Sequence, residues 1–199
     1  MAGKIFGIGL SKTGTTSLYA ALHYLGYRSG THRHMARLGM REWFQGDFTI
    51  DYLKDFDAVT DLPLAGFYQS IDQRYPDSKF ILTVRPLNDW LRSCRNFFST
   101  PPKHDFSRQG RLAVYGCEIF NEEKFSLAYE RHLLDVADFF SDTPDKLLIF
   151  NVFAGDGWEK LCPFIGKKVP AYQFPKVKPG FKPHKNPPGM KKKSGLIFR

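Results

Sequence analysis

Near the amino terminus the chain reads G-L-S-K-T-G-T-T-S, with Gly9 and Gly14 spaced as in a phosphate loop and Lys12 between them. In the nucleotide-hydrolase form of that loop, G-x-x-x-x-G-K-[ST], a lysine follows the second glycine. Here Thr15 holds that position, Thr16 fits the last one, and the loop's lysine stands three residues early. Backbone N–H groups around Gly14 and the positive end of a following helix would make an anion cradle. Thr13, Thr15, Thr16 and Ser17 would add hydroxyl donors, and Lys12 a full charge at the loop's mouth. A turn serving only the fold could use the same glycines. Further along, Arg85 ends the run F-I-L-T-V, and Ser93 lies eight residues beyond it. Arginine offers a planar fork that matches a phosphate, and a serine inside the next helix can donate once more. Alone, Arg85 reads as an ordinary surface residue; the loop gives it a phosphate to share.

These residues resemble the sulfotransferase family, whose donor loop takes the form P-K-S-G-T-T or R-T-G-T-T. The resemblance implies that the loop holds the 5′-phosphosulfate of 3′-phosphoadenosine-5′-phosphosulfate and that Lys12 reaches the bridging oxygen. It also implies that Arg85 and Ser93 grip the 3′-phosphate. T-D-L-P (Thr60 to Pro63), Y-P-D-S-K-F-I-L-T-V-R and G-D-G-W-E-K-L-C-P-F-I-G extend the resemblance over most of the chain. The compact bacterial-type members look nearest. The activity implied is in-line sulfuryl transfer to a hydroxyl or amine of a small-molecule, lipid or sugar acceptor. Other readings of the loop are a nucleotide kinase or hydrolase and a nucleotide-binding protein without catalysis. Thr15 at the lysine position, together with Arg85 and Ser93, disfavours the kinase.

Sulfuryl transfer needs an in-line acceptor, stabilisation of the leaving phosphate and a destination for the acceptor's proton. A sulfonate carries less charge than the terminal phosphate of ATP, so no metal is expected. Many cytosolic sulfotransferases carry a catalytic histidine in T-H-L-P, and Asp61 stands at that position here. A carboxylate is a weak base for an alcohol, yet it can orient the hydroxyl and take its proton late. A helix cap or a partner for a cation is the other use of Asp61. His32 and His34 are rival bases or acceptor ligands, or exposed loop histidines; their spacing alone is a poor argument for zinc. His132 reads as a histidine packed at the edge of the core.

Elements must position these groups. Ile5, Phe6 and Ile8 predict a buried strand, and Thr15 to Leu25 a helix stopped at Gly26. Strands are predicted at Phe56–Thr60, Lys79–Val84 and Lys146–Phe150. Helices are predicted near Met35–Phe44, over Gly66–Tyr75 and Leu87–Phe98, from a cap at Asn121, and over Trp158–Ile165. Thr100 to Gly110 reads as a polar loop and candidate lid. The alternation implies an α/β fold of three layers, P-loop-like, with a mostly parallel central sheet flanked by helices. Gly9, Thr60 and Arg85 fall at strand carboxyl ends, where such sheets bind ligands.

One domain over residues 1–199 is expected, with 167–199 a basic segment rich in proline and lysine. The resemblance implies that this segment folds over the donor's 3′-phosphate; a solvated tail is the plainer reading. The net charge of +9 favours anionic partners. With no aromatic-basic recognition motif, nucleic acid is not expected. Cys94, Cys117 and Cys162 show no disulfide or zinc spacing and predict reduced thiols. With no apolar run of membrane-spanning length and no signal-peptide pattern, a cytoplasmic protein is expected. Among the 19 phenylalanines and other aromatics, Trp43, Phe44, Phe67, Tyr68, Trp90, Phe97 and Phe98 flank the proposed site. Most belong in a core, and a subset is expected to wall an apolar acceptor pocket.

Overall fold

A computed structural model describes residues 3–31 and 51–178. Five short strands, β1 (Ile5–Gly7), β2 (Ser29–Thr31), β3 (Ala58–Thr60), β4 (Lys79–Thr83) and β5 (Leu147–Phe150), form one sheet in the order β2-β3-β1-β4-β5. Every pairing is parallel, with Phe6 opposite Val59 on one side and Phe80 on the other. Among the described residues six α-helices flank the sheet: α1 (Thr15–Tyr24), α2 (Tyr68–Arg74), α3 (Leu87–Phe97), α4 (Asp105–Tyr115), α5 (Glu122–Phe139) and α6 (Trp158–Phe164). This is the three-layer, P-loop-like arrangement expected from the alternation.

Strand side chains alternate between the two faces, and each face has its own core. Phe6, Val59, Phe80 and Leu82 pack with Tyr68 and Ile71 of α2 and Val136 of α5. Ile5, Ala58, Ile81 and Phe150 point the other way, against Leu18 and Leu22 of α1 and Trp158 and Leu161 of α6. A third cluster lies beyond the sheet's carboxyl edge. It joins Leu10 and Leu62 to Trp90 and Cys94 of α3, Tyr115 of α4, and Phe125 and Tyr129 of α5. This third cluster supports the site from below.

One expectation needs correction, and one strand is new. The segment 100–110 is not a polar lid loop throughout, because helix α4 begins at Asp105. Its proline and glycine content hides an apolar side, on which Phe106, Val114 and Tyr115 pack inward. Strand β2 was not anticipated; S-G-T has no alternation to betray it, and its partner β3 alone defines it. The predicted cap is in place, with the Asn121 side chain accepting from Lys124 N at 2.9 Å. The helix expected near Met35–Phe44 lies outside the described residues.

Candidate active site

The chain order reverses around β1, which has β3 on one side and β4 on the other, so a crevice opens beyond the carboxyl ends of β1 and β4. The β1–α1 loop enters it first. Gly14 adopts φ 107°, a left-handed conformation suited to glycine, and starts α1 with no side-chain cap. Ser17 N–H bonds back to Gly14 O at 3.0 Å, which leaves the N–H groups of Thr15 and Thr16 at the start of the helix for a ligand. Gly9 meets a different demand: a Cβ there would sit 1.9 Å from Thr83 Oγ1 and 2.5 Å from Thr83 O. Only glycine lets the loop run this close to β4.

Thr13 turns out to be a structural anchor. It is fully buried, and its hydroxyl donates to Leu10 O at 2.6 Å. The 2.6 Å contact with Thr83 Oγ1 must then have Thr83 as donor. Sequence cannot distinguish this threonine from Thr15, Thr16 and Ser17, since all four carry the same kind of donor. The last three line a cavity of about 450 Å³ together with Ser11, Lys12, Gly14, Asp61, Arg85 and Ser93.

The charged groups in this cavity are held in specific ways. Lys12 lies at φ 76° and Asp61 at φ 84°, unusual backbone for residues other than glycine. Such conformations persist only where surrounding structure enforces them, and they cluster at functional sites. The Lys12 ammonium sits 4.4 Å from the centre of the Phe97 ring. Burial, with Arg85 as a secondary influence, pushes its pKa below the ordinary lysine value. Asp61 Oδ1 accepts from Ser11 Oγ and from its neighbour Leu62 N, both at 2.9 Å. One carboxylate oxygen is thus fixed on the loop and the turn.

Arg85 is anchored through its backbone and stacked through its head. Its N–H donates to Tyr129 Oη at 3.0 Å and its carbonyl accepts from the same hydroxyl at 2.5 Å. The guanidinium lies 4.1 Å from the centre of the Phe153 ring and reaches Lys12 O at 3.5 Å. Its Nε is buried with no partner. An orphaned, charged donor beside a cavity is expensive unless an anion completes it. The residues present therefore fit a bound phosphate.

Phe153 was hard to read from sequence, whereas Lys176 and Lys178 belong to the basic segment expected either to fold over the donor or to stay solvated. Phe153 lies in an unremarkable V-F-A turn after β5. Lys176 and Lys178 arrive on an extended strap, and Val177 N donates to Ser17 Oγ at 3.1 Å. The strap is fixed upstream, where Trp158 Nε1 donates to Tyr172 O at 2.7 Å and Phe174 packs on Trp158. Of the flanking aromatics, Phe97 lines the cavity and is half exposed, whereas Tyr68, Trp90 and Phe98 are core. Trp43, Phe44, His32 and His34 lie outside the described residues.

His132 does not line this cavity but another one, and its Nε2 lies 2.7 Å from Ile8 O. A carbonyl can only accept, so Nε2 carries a proton; burial lowers the imidazole's pKa from its ordinary value. Cys94 is buried beside Lys12 and Arg85, and burial raises its thiol pKa far above the usual range. It is packing, not a nucleophile. Among the described residues no group of three or more His, Cys, Asp or Glu side chains could hold a metal. No described helix is long and apolar enough to cross a membrane.

The model of the sulfotransferase domain matches residues 4–180, which spans every element of this site. The chain belongs to the sulfotransferase family. It is also similar to "Ava biosynthesis cluster protein M" of Aspergillus versicolor, 26% identical over 212 residues, covering 87% of this chain and 80% of the relative. A sulfotransferase must hold an anionic donor and leave room for an acceptor. Here the cations Lys12 and Arg85 share one cavity with the carboxylate of Asp61 and the open face of Phe97.

Proposed function

We propose that this sulfotransferase moves a sulfuryl group from 3′-phosphoadenosine-5′-phosphosulfate to a hydroxyl or amine of a small-molecule, lipid or sugar acceptor. The observation that carries this reading is the convergence of two phosphate-seeking elements on one cavity. One is the β1–α1 loop; the other is Arg85 with Ser93, where Arg85 Nε is a buried donor without a partner. A nucleotide with phosphates at both ends is the ligand that uses both elements.

The donor supplies an activated sulfuryl group on a phosphate that can leave. The loop N–H groups and the Thr15, Thr16 and Ser17 hydroxyls hold the 5′-phosphate, aided by the α1 N-terminus. Arg85 and Ser93 hold the 3′-phosphate, and Lys176 and Lys178 add positive charge from the strap. Lys12 neutralises charge growing on the leaving oxygen, the task of preorganised electrostatics in group transfer. Asp61, with Oδ1 fixed by Ser11 and Leu62, offers Oδ2 to orient the acceptor and take its proton. Phe97 gives the acceptor side an apolar wall. The Aspergillus relative is named for a biosynthesis cluster, which favours a small molecule as acceptor. Free thiols at Cys94, Cys117 and Cys162 suit the reducing cytoplasm.

A ligand that binds only the native state raises its melting temperature. We expect 3′-phosphoadenosine-5′-phosphate, without Mg²⁺, to stabilise the protein more than Mg-ATP does. The reverse order would sink the donor assignment. Transfer of labelled sulfate from the donor into an acceptor library then identifies the acceptor.

A further inference from the structure

Behind the two phosphate-binding elements lies a pair of buried aromatic residues that touches the backbone of both. Trp90 Nε1 donates to Ser11 O at 2.9 Å, gripping the loop one residue before Lys12. The Tyr129 hydroxyl receives Arg85 N–H and donates to Arg85 O, so it closes on both polar backbone atoms of one residue. The two rings lie 4.6 Å apart, tilted by 34°. Trp90 is fully buried and Tyr129 nearly so. Phe125 packs against Trp90 at 5.8 Å and against Tyr115 at 4.2 Å, backing the pair from α5.

A tyrosine hydroxyl has one proton to give and can accept. Placed on a residue that leaves β4 and has not yet entered α3, it does what a strand ladder would do there. Arg85 is thereby fixed without occupying its guanidinium, which stays available to a ligand. Trp90 does the same for the loop: an indole N–H holds a carbonyl that no helix or strand bond claims. Since the rings pack on each other, the separation between the loop and Arg85 is set by a rigid aromatic unit.

We propose that Trp90 and Tyr129 are positioning residues that set the distance between the 5′-phosphate loop and the 3′-phosphate arginine. Tyr129, on the arginine side, thereby sets the enzyme's preference for a doubly phosphorylated adenosine, and Trp90, on the loop side, sets the affinity for the 5′-phosphate that singly and doubly phosphorylated ligands share. This inference rests on the donor assignment above. Each member makes a different prediction. Loss of the Tyr129 hydroxyl frees only the 3′-phosphate side, and loss of the Trp90 N–H frees only the 5′-phosphate side.

The test is calorimetric binding of 3′-phosphoadenosine-5′-phosphate and of adenosine 5′-monophosphate, which lacks the 3′-phosphate, to the full chain. The wild type should prefer the former. Tyr129→Phe keeps the ring and should lower that preference about tenfold, the scale of two lost hydrogen bonds. Trp90→Phe should weaken both ligands in parallel and leave the ratio intact. Phe125→Leu, which loosens the same cluster without touching either bond, should lower the melting temperature and leave the ratio as in the wild type. A Tyr129→Phe protein with the wild-type ratio would overturn the inference. Should that variant not fold, Trp90→Phe decides: unchanged affinity for both ligands overturns it. A wild type with no preference overturns the donor assignment and this inference with it, a result distinct from the other two.

Discussion

Lys12 is a residue under opposing demands: its backbone is left-handed at φ 76°, and its charge is partly desolvated against Phe97. A non-glycine residue in that conformation is strained by roughly 1–2 kcal/mol. Lys12→Gly should therefore be more stable than Lys12→Ala by about 1 kcal/mol, seen in urea midpoints, while both abolish transfer. If alanine proved equal to glycine, the strain argument would fail. Burial also lowers the Lys12 pKa from 10.5, so its charge is complete below the folded value and lost as pH rises through it. By linkage, the burial disfavours folding at low pH, and that penalty fades as pH climbs toward 10.5. The alkaline limb of the transfer rate should then begin below the ordinary lysine range, and Lys12→Arg should move it upward in whatever activity remains. Much of this site was legible because Lys12, Asp61, Arg85 and Ser93 are chemically distinctive and sit at strand ends or within a helix after one. Thr13 misled because burial, not residue type, separates a threonine that anchors from one that binds. Phe153 was silent because a phenylalanine in a turn after a strand ordinarily packs inward.

At the scale of elements, the loop can reach the crevice because β1 and β4 approach so closely at Gly9 and Thr83. Gly9→Ala puts a methyl group against Thr83, 1.9 Å from its Oγ1 and 2.5 and 2.8 Å from its backbone O and N, which cannot swing aside. Overpacking of this kind costs about 1–3 kcal/mol, and so close an approach to backbone belongs at the upper end, about 3 kcal/mol. In a chain of this length that is a fall in melting temperature on the order of 6–12 °C, measurable by calorimetry. A smaller loss than for Gly110→Ala, whose Cβ meets nothing within 4 Å, would contradict the argument. The edge of the sheet carries a second, pH-dependent tie. Arg28 donates to Asp57 from its backbone N at 3.0 Å and from Nε and Nη2 at 3.1 and 2.9 Å, joining the starts of β2 and β3. This holds the Asp57 pKa at about 2, below its usual 3.8. Its stabilisation is present above the usual value and lost as pH falls through the lower one. The gap in urea midpoint between wild type and Asp57→Asn should narrow over that range, and solvent exposure keeps it small throughout. Sequence reading found β1, β4 and β5 by their apolar runs and α5 by its cap. It missed β2, whose three residues carry no pattern, and α4, whose apolar positions are scattered among polar ones. Both are fixed by long-range packing, which a local window does not contain.

Across the whole molecule, the strap of residues 167–178 links the far face of the sheet to the mouth of the cavity. Phe174 packs 4.9 Å from Trp158 and 5.5 Å from Phe150, while Tyr172 Oη donates to Tyr24 O at 3.2 Å. Two residues after Phe174 the chain reaches the cavity, where Lys176 and Lys178 join its lining. The net charge of +9 is therefore not spread only over a solvated surface; part of it is delivered to the site by aromatic packing behind the sheet. Phe174→Ala should loosen that delivery while leaving every cavity-lining side chain in the sequence. Removing a half-buried phenylalanine should cost about 1–2 kcal/mol of stability, below the range for fully buried rings. Two partly exposed lysine–phosphate pairs are worth ~0.2–1 kcal/mol each, so donor affinity should fall roughly 2–30-fold. The salt dependence distinguishes this from general damage. Each charge withdrawn from an anionic ligand reduces screening's effect on binding. Plotted against ionic strength, the affinity of Phe174→Ala should fall less steeply than that of the wild type and approach the slope of a Lys176→Ala, Lys178→Ala double variant. An unchanged slope alongside weakened binding would mean that the strap acts through shape and not through its charge.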